Sequence, residues 1–181
     1  MFILGCESKG QEDSVQFNVD ENLLAEHLQI DSLGFSFAPP VAWSDDKAKE
    51  IDHAQHKFQK KELSSYSISI KDIFYDNSSV NFCSISAIQS TDSLSLGYFV
   101  KNFYDILSQQ IKPEDLKQAH FTKEGLEITQ FLIMSDSRVM FKIYFQPTDK
   151  YIIQIDYAID RSIYPNYIKK IESSIGSITT I

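Results

Sequence analysis

LEITQFLIMSDSRVMFKIYFQPTDKYIIQIDYAID, residues 126–160, decides the fold. Leu126, Ile128 and Leu132 are the apolar residues of a first run, which Asp136-Ser137 breaks. Val139, Phe141, Ile143 and Phe145 then repeat at period two, until Pro147, Thr148 and Asp149 break again. Tyr151, Ile153, Ile155, Tyr157 and Ile159 repeat at period two a second time. Alternation of this kind sets one side of each strand on a core and the other toward water. The breaks are short enough for hairpins, so the three runs predict an antiparallel meander. Beyond Asp160, Ile168, Ile171 and Ile175 share one face at helical spacing, which predicts a helix packed on that meander.

Working outward, the chain has 181 residues, long enough to bury a sizeable core in one domain without staples. Hydrophobic residues at 43% and aromatics at 13% exclude general disorder. The 25 acids exceed the 17 bases, for a net charge of -8, which argues against a nucleic-acid partner. Lys57, Lys60 and Lys61 form the nearest basic cluster and read as a solvated helix face. No apolar run reaches the length of about 18 residues that spans a bilayer. Two cysteines, Cys6 and Cys83, are too few for a disulfide framework, and Cys83 reads as a small buried residue of a strand.

The N-terminus begins Met1-Phe2-Ile3-Leu4-Gly5-Cys6. Ile3-Leu4-Gly5-Cys6 resembles the end of a bacterial lipoprotein signal peptide, in which an aliphatic residue, a small or aliphatic one and Gly or Ala precede the modified cysteine. Glu7 to Ser14 is polar and reads as the start of a flexible tether over residues 6–18. The resemblance implies that Cys6 is lipidated, that residues 1–5 are a signal remnant, and that the domain proper is 19–181. Three apolar residues after Met1 are fewer than the roughly 7–15 of a signal's apolar region. Either Met1 is internal to the true reading frame or the N-terminus is cut down.

The middle of the chain predicts further elements. Asp20 to Leu28 reads as a short helix capped by Asp20. Leu33 to Phe37 alternates as a strand closed by Pro39-Pro40, with Trp43 beyond. Ser44-Asp45-Asp46 can cap an exposed helix running to about Leu63. Tyr66, Ile68 and Ile70 alternate, and a turn at Asp76 to Ser79 leads to a strand over about Val80 to Ile88. Phe99, Phe103, Ile106, Leu107 and Ile111 make the apolar stripe of a helix that Pro113 ends. Lys123-Glu124-Gly125 reads as a hairpin turn pairing a strand at Ala119 to Thr122 with the one from Leu126.

This order of elements predicts an α+β fold, an antiparallel β-sheet flanked by helices. Phe35-Ser36-Phe37-Ala38-Pro39-Pro40 with Trp43, Tyr151 to Tyr157, and Tyr167 to Ile178 together resemble the PsbP family. That family comprises the extrinsic photosystem subunit, Ran-binding nuclear-import relatives and many bacterial envelope proteins. The resemblance covers about residues 33–178 and implies an α/β/α sandwich. It carries no catalytic motif, and the fold does not fix a function.

Candidate chemistry is sparse. His53 and His56 lie at i, i+3 with Glu50 and Asp52 nearby, a spacing that can present two imidazoles to a metal ion. Two ligands do not complete a site, so no metal is assigned, and no cofactor is implied. Asp72, Asp76 and Asn77 flank a turn without the pattern of a calcium loop. His27 and His120 are isolated, and no Gly-x-Ser-x-Gly elbow or phosphate-cradling glycine loop occurs. Trp43 is a candidate wall of a surface groove, with Tyr66 or Tyr75 as further aromatics. Tyr144, Gln146, Gln154 and Asp156 lie on the non-core side of their strands and would form a polar, aromatic surface if no helix covers it. The leading expectation is a non-enzymatic, lipid-anchored protein of the bacterial cell envelope that binds a protein or small ligand. The alternatives are an intracellular partner-binding module and a metal-dependent protein using His53 and His56.

Overall fold

A computed structural model of the chain describes residues 18–44, 66–76, 81–90 and 95–181. Cys6, residues 6–17 of the tether, residues 45–63 of the expected helix with His53 and His56, and the turn residues 77–79 lie outside the described residues, while Ser44, expected to cap that helix, bridges Tyr75. The described strands are β1 (Leu28–Ile30), β2 (Phe35–Phe37), β3 (Tyr66–Tyr75), β4 (Phe82–Ser90), β5 (Leu116–Lys123), β6 (Leu126–Met134), β7 (Arg138–Thr148), β8 (Tyr151–Asp160) and β9 (Thr179–Thr180). The helices among the described residues are α1 (Leu96–Gln110) and α2 (Tyr164–Gly176). Six strands form an antiparallel sheet in the order β3-β4-β8-β7-β6-β5, and β1-β2-β9 form a small second sheet.

The meander predicted from residues 126–160 is present, with β5 added through the 123–126 hairpin. Glu124 and Gly125 both take positive φ (51° and 83°), which a two-residue turn matched to strand twist requires. β7 runs on through Pro147 to Thr148, where the break was expected at Pro147 itself. The proline sits at an irregularity of the β7–β8 ladder and beyond the last β6 partner, Phe145, so its missing N–H costs no bond there.

One face of the large sheet buries the period-two residues. Ile85, Phe141, Ile143, Phe145, Ile153, Ile155 and Tyr157 pack there with Phe35 and Phe37 of the small sheet and Ile171 and Ile175 of α2. α1 lies on the opposite face, over Ile88, Phe131, Ile133, Tyr144 and Ile152. This is an α+β sandwich, helix on sheet on helix. The position of α1 follows from topology. β4 and β5 are four strand steps apart, about 19 Å at the usual spacing, and fifteen helical residues span about 22 Å. α1 therefore carries the chain diagonally across the sheet from β4 to the far edge.

Several local expectations are corrected. Asp20 does cap a turn, its carboxylate accepting from the Asn22 N–H at 3.0 Å, but that turn is a single 3-10 turn, Glu21–Leu23. Leu24 is already extended and bridges Pro40, and β1 follows, so no helix reaches Leu28. Bridging to Pro40 and burying Leu24 outweigh the weak propagation of so short a helix. Leu33 ends a second 3-10 turn closed by left-handed Gly34, and the strand begins at Phe35. Ile106 is 41% exposed rather than part of the α1 stripe, because the sheet contacts only the arc of Phe99, Phe103 and Leu107.

Three serines hold the small sheet to α2. The Ser174 hydroxyl donates to the Ala38 carbonyl at 2.5 Å and sits 2.8 Å from the Tyr157 hydroxyl. Ser177 accepts from the Ala38 N–H at 2.8 Å and donates to the Ser174 carbonyl at 2.7 Å. Ser173 accepts from the Asp20 N–H at 3.1 Å. Ser174 and Ser177 thus satisfy the backbone of Ala38 where the chain leaves β2, and Ser173 that of Asp20 ahead of β1, groups that burial would otherwise penalise.

Candidate functional site

Strand alternation places Gln118, His120 and Thr122 on one side of β5, and Glu127 and Thr129 on the same side of β6. α1 presents Leu96, Gly97, Val100, Lys101 and Tyr104 toward them, residues that share one side of a helix. Between these walls lies a cleft of about 680 Å³. A volume of this order suits a small molecule. Its apolar side chains, Leu96 and Val100, belong to α1, and the Tyr104 ring stacks beside Phe131 at 6.3 Å.

His120 is fixed within the cleft. It stands opposite Thr129 in the β5–β6 ladder, with Nδ1 3.0 Å from the Thr129 Oγ1. Its Nε2 lies 2.8 Å from the Gln118 amide nitrogen. An amide nitrogen only donates, so Nε2 accepts, and the ring proton sits on Nδ1 and is donated to Thr129. In this arrangement His120 cannot take the Thr129 proton, and the pair is a positioning contact rather than a base and nucleophile. Lys101 and Glu127 face the cleft from α1 and β6 as exposed charges, and neither makes a salt bridge or side-chain hydrogen bond among the described residues. Elsewhere on the same face the fold does pair its charges, Lys142 with Asp156 at 3.0 Å.

The residues singled out in the sequence fall apart in space. Trp43 is 7% exposed and packs against Tyr157 and Tyr167 at 6.4 and 6.1 Å, so it is a core residue and not the wall of a groove. The reason is its partner set: α2 closes over it from one side and β8 lies beneath it. Tyr144 is fully buried, because α1 covers that part of the sheet face and lays Phe99 and Phe103 on its ring at 5.5 and 5.3 Å. The exposed surface expected there is therefore interrupted. Tyr66 is half-buried, edge-on to Phe99 at 5.4 Å. Gln154 is half-buried and donates to Asp156 at 2.6 Å, while Lys142 holds the other oxygen of that carboxylate. His27 stands 3.8 Å from Glu21 at an exposed site away from the cleft.

Burial shapes the titration of the interior groups. Burial, with a contribution from the Asp156 charge, holds the Tyr144 phenol well above its ordinary value. Burial does the same to Tyr157 and to the Cys83 thiol. Burial lowers Lys123, whose ammonium donates to the Gly176 carbonyl at the end of α2.

The cleft residues were missed in the sequence because each is ordinary by itself. The signal present was the alternation Gln118, His120, Thr122 against Phe121, a polar strand face beside an apolar one. Only the β5–β6 register brings Thr129 to His120, and only the path of α1 brings Lys101 and Tyr104 over them.

No family model and no curated protein matches the chain. Among solved structures, that of cyanobacterial PsbP (CyanoP) from Synechocystis sp. PCC 6803, determined in solution, is similar. The two share 12% identity over 99% of each chain, with a TM-score of 0.57. At that identity the likeness is one of fold, and the chain has a PsbP-like architecture.

Proposed function

We propose that this protein is a non-enzymatic, lipid-anchored component of the bacterial cell envelope whose PsbP-like domain binds a small ligand in the cleft between α1 and the β5–β6 edge. The observation that carries the reading is the cleft itself. It combines apolar side chains on the α1 wall, charges on facing walls that are unpaired among the described residues, and an imidazole whose two nitrogens are both engaged in holding its place. Such a set recognises and orients rather than reacts. Anchoring is supported by Ile3-Leu4-Gly5-Cys6 and the polar residues after it. A diacylated, N-acylated cysteine buries enough methylenes for stable attachment.

The test is the intact mass and fractionation of the protein made in bacteria from its gene with the upstream codons restored. Cleavage before Cys6, an added lipid mass and recovery in the membrane fraction are expected, and Cys6→Ala should return the chain to the soluble fraction. An unprocessed chain in the cytosol would overturn the anchored reading.

A further inference from the structure

We infer that the cleft takes a zwitterion, specifically a short peptide with a free ammonium at one end and a free carboxylate at the other. The inference rests on the reading of the cleft as a binding site and adds its ligand class. Lys101 on α1 and Glu127 on β6 put opposite charges on facing walls, and neither has a side-chain partner among the described residues. A ligand with a single charge would gain from one wall and be opposed by the other. A ligand with both signs complements the two together. The two ring nitrogens of His120 are turned to Gln118 and Thr129, which leaves them engaged within the protein rather than open to a metal ion.

Size and shape agree. An extended tripeptide is about 10 Å long, and the cleft volume of about 680 Å³ exceeds what a single amino acid would fill. Leu96 and Val100 offer an apolar seat for a central side chain. Gly97 widens the α1 wall. A Cβ built there would meet only the Ser95 hydroxyl, at 3.9 Å, so the missing methyl leaves open space rather than relieving a clash.

The test uses the tripeptide Ala-Leu-Ala on the full chain, followed by calorimetry and by backbone amide shifts. Its N-acetylated, C-amidated and doubly capped forms serve as comparisons. The free tripeptide should shift the amides of Val100, His120 and Thr129, and each cap should weaken binding by about three- to tenfold. Lys101→Gln should erase the discrimination between free and amidated C-termini, and Glu127→Gln that between free and acetylated N-termini. Both side chains are exposed, so both variants should keep the parent's melting temperature. Equal binding of all four peptides at the cleft would overturn the zwitterion and leave the cleft as a binding site. Binding that shifts amides only elsewhere would overturn the cleft reading as well. Failure of the free tripeptide to bind would overturn the present inference.

Discussion

Deleting one oxygen atom from Tyr144 and from Tyr157 in turn should move the stability of this fold in opposite directions. Both side chains are fully buried. The Tyr144 hydroxyl is buried among Phe99, Phe103 and Phe131 and has no hydrogen-bond partner among the described residues. A buried polar group left unsatisfied costs about 1–3 kcal/mol, so Tyr144→Phe should stabilise by about 1 kcal/mol after allowing for the small space vacated. The Tyr157 hydroxyl lies 2.8 Å from Ser174 Oγ, whose own proton is committed to the Ala38 carbonyl. Tyr157 is therefore the donor, and Tyr157→Phe strands a lone pair of Ser174 inside the core. The expected loss is about 1–2 kcal/mol. The two variants should thus differ by about 2–3 kcal/mol, or some 4–12 °C in melting temperature for a chain of this size. Urea unfolding followed by far-ultraviolet circular dichroism measures the difference directly. Destabilisation by Tyr144→Phe equal to that of Tyr157→Phe would refute the reasoning, since it would mean the Tyr144 hydroxyl is satisfied in solution.

Three further outcomes follow from the same structure. Gly34 has φ of +77° and a Cβ there would approach the Thr148 methyl to 2.7 Å, whereas Gly125 has φ of +83° and open space; alanine should therefore cost about 1 kcal/mol at Gly125 and clearly more at Gly34, as read by thermal melts. Cys83 is fully buried and its thiol is held above the ordinary range by burial, so a maleimide should label it only at the rate of global unfolding, and rapid labelling in native buffer would contradict the core placement. Tyr144 and Tyr157 hold their protons in the folded state above the phenol's ordinary value, about 10. The unfolded chain releases those protons first, so their contribution to stability is intact below that value and is lost as pH rises above it. Alkaline titration should show unfolding that the Tyr144→Phe, Tyr157→Phe double variant shifts to higher pH.

Where the sequence spoke clearly, one physical rule sufficed. The alternation from Val139 to Ile159 left each strand one apolar side, and short polar breaks left only antiparallel neighbours. Burial of Ile171 and Ile175 against that face was equally legible from their spacing. The reading failed where partners from distant segments competed. Leu24 pairs with Pro40 instead of continuing a helix, and Thr179–Thr180 forms a strand because β2 offers an edge. Trp43 and Tyr144 were assigned to surfaces because local pattern cannot say which helix lies above a residue.

The chain by itself thus determined the α+β class, the meander and the closing helix, because periodicity is a property of neighbouring residues. Tertiary structure alone decided which sheet face α1 covers and what remains open beside it. The need to span four strands sends α1 diagonally over Tyr144, and the corner it leaves uncovered, floored by His120 and Thr129, becomes the cleft. That outcome depends on strand order and crossing path, quantities fixed by contacts between residues far apart in sequence.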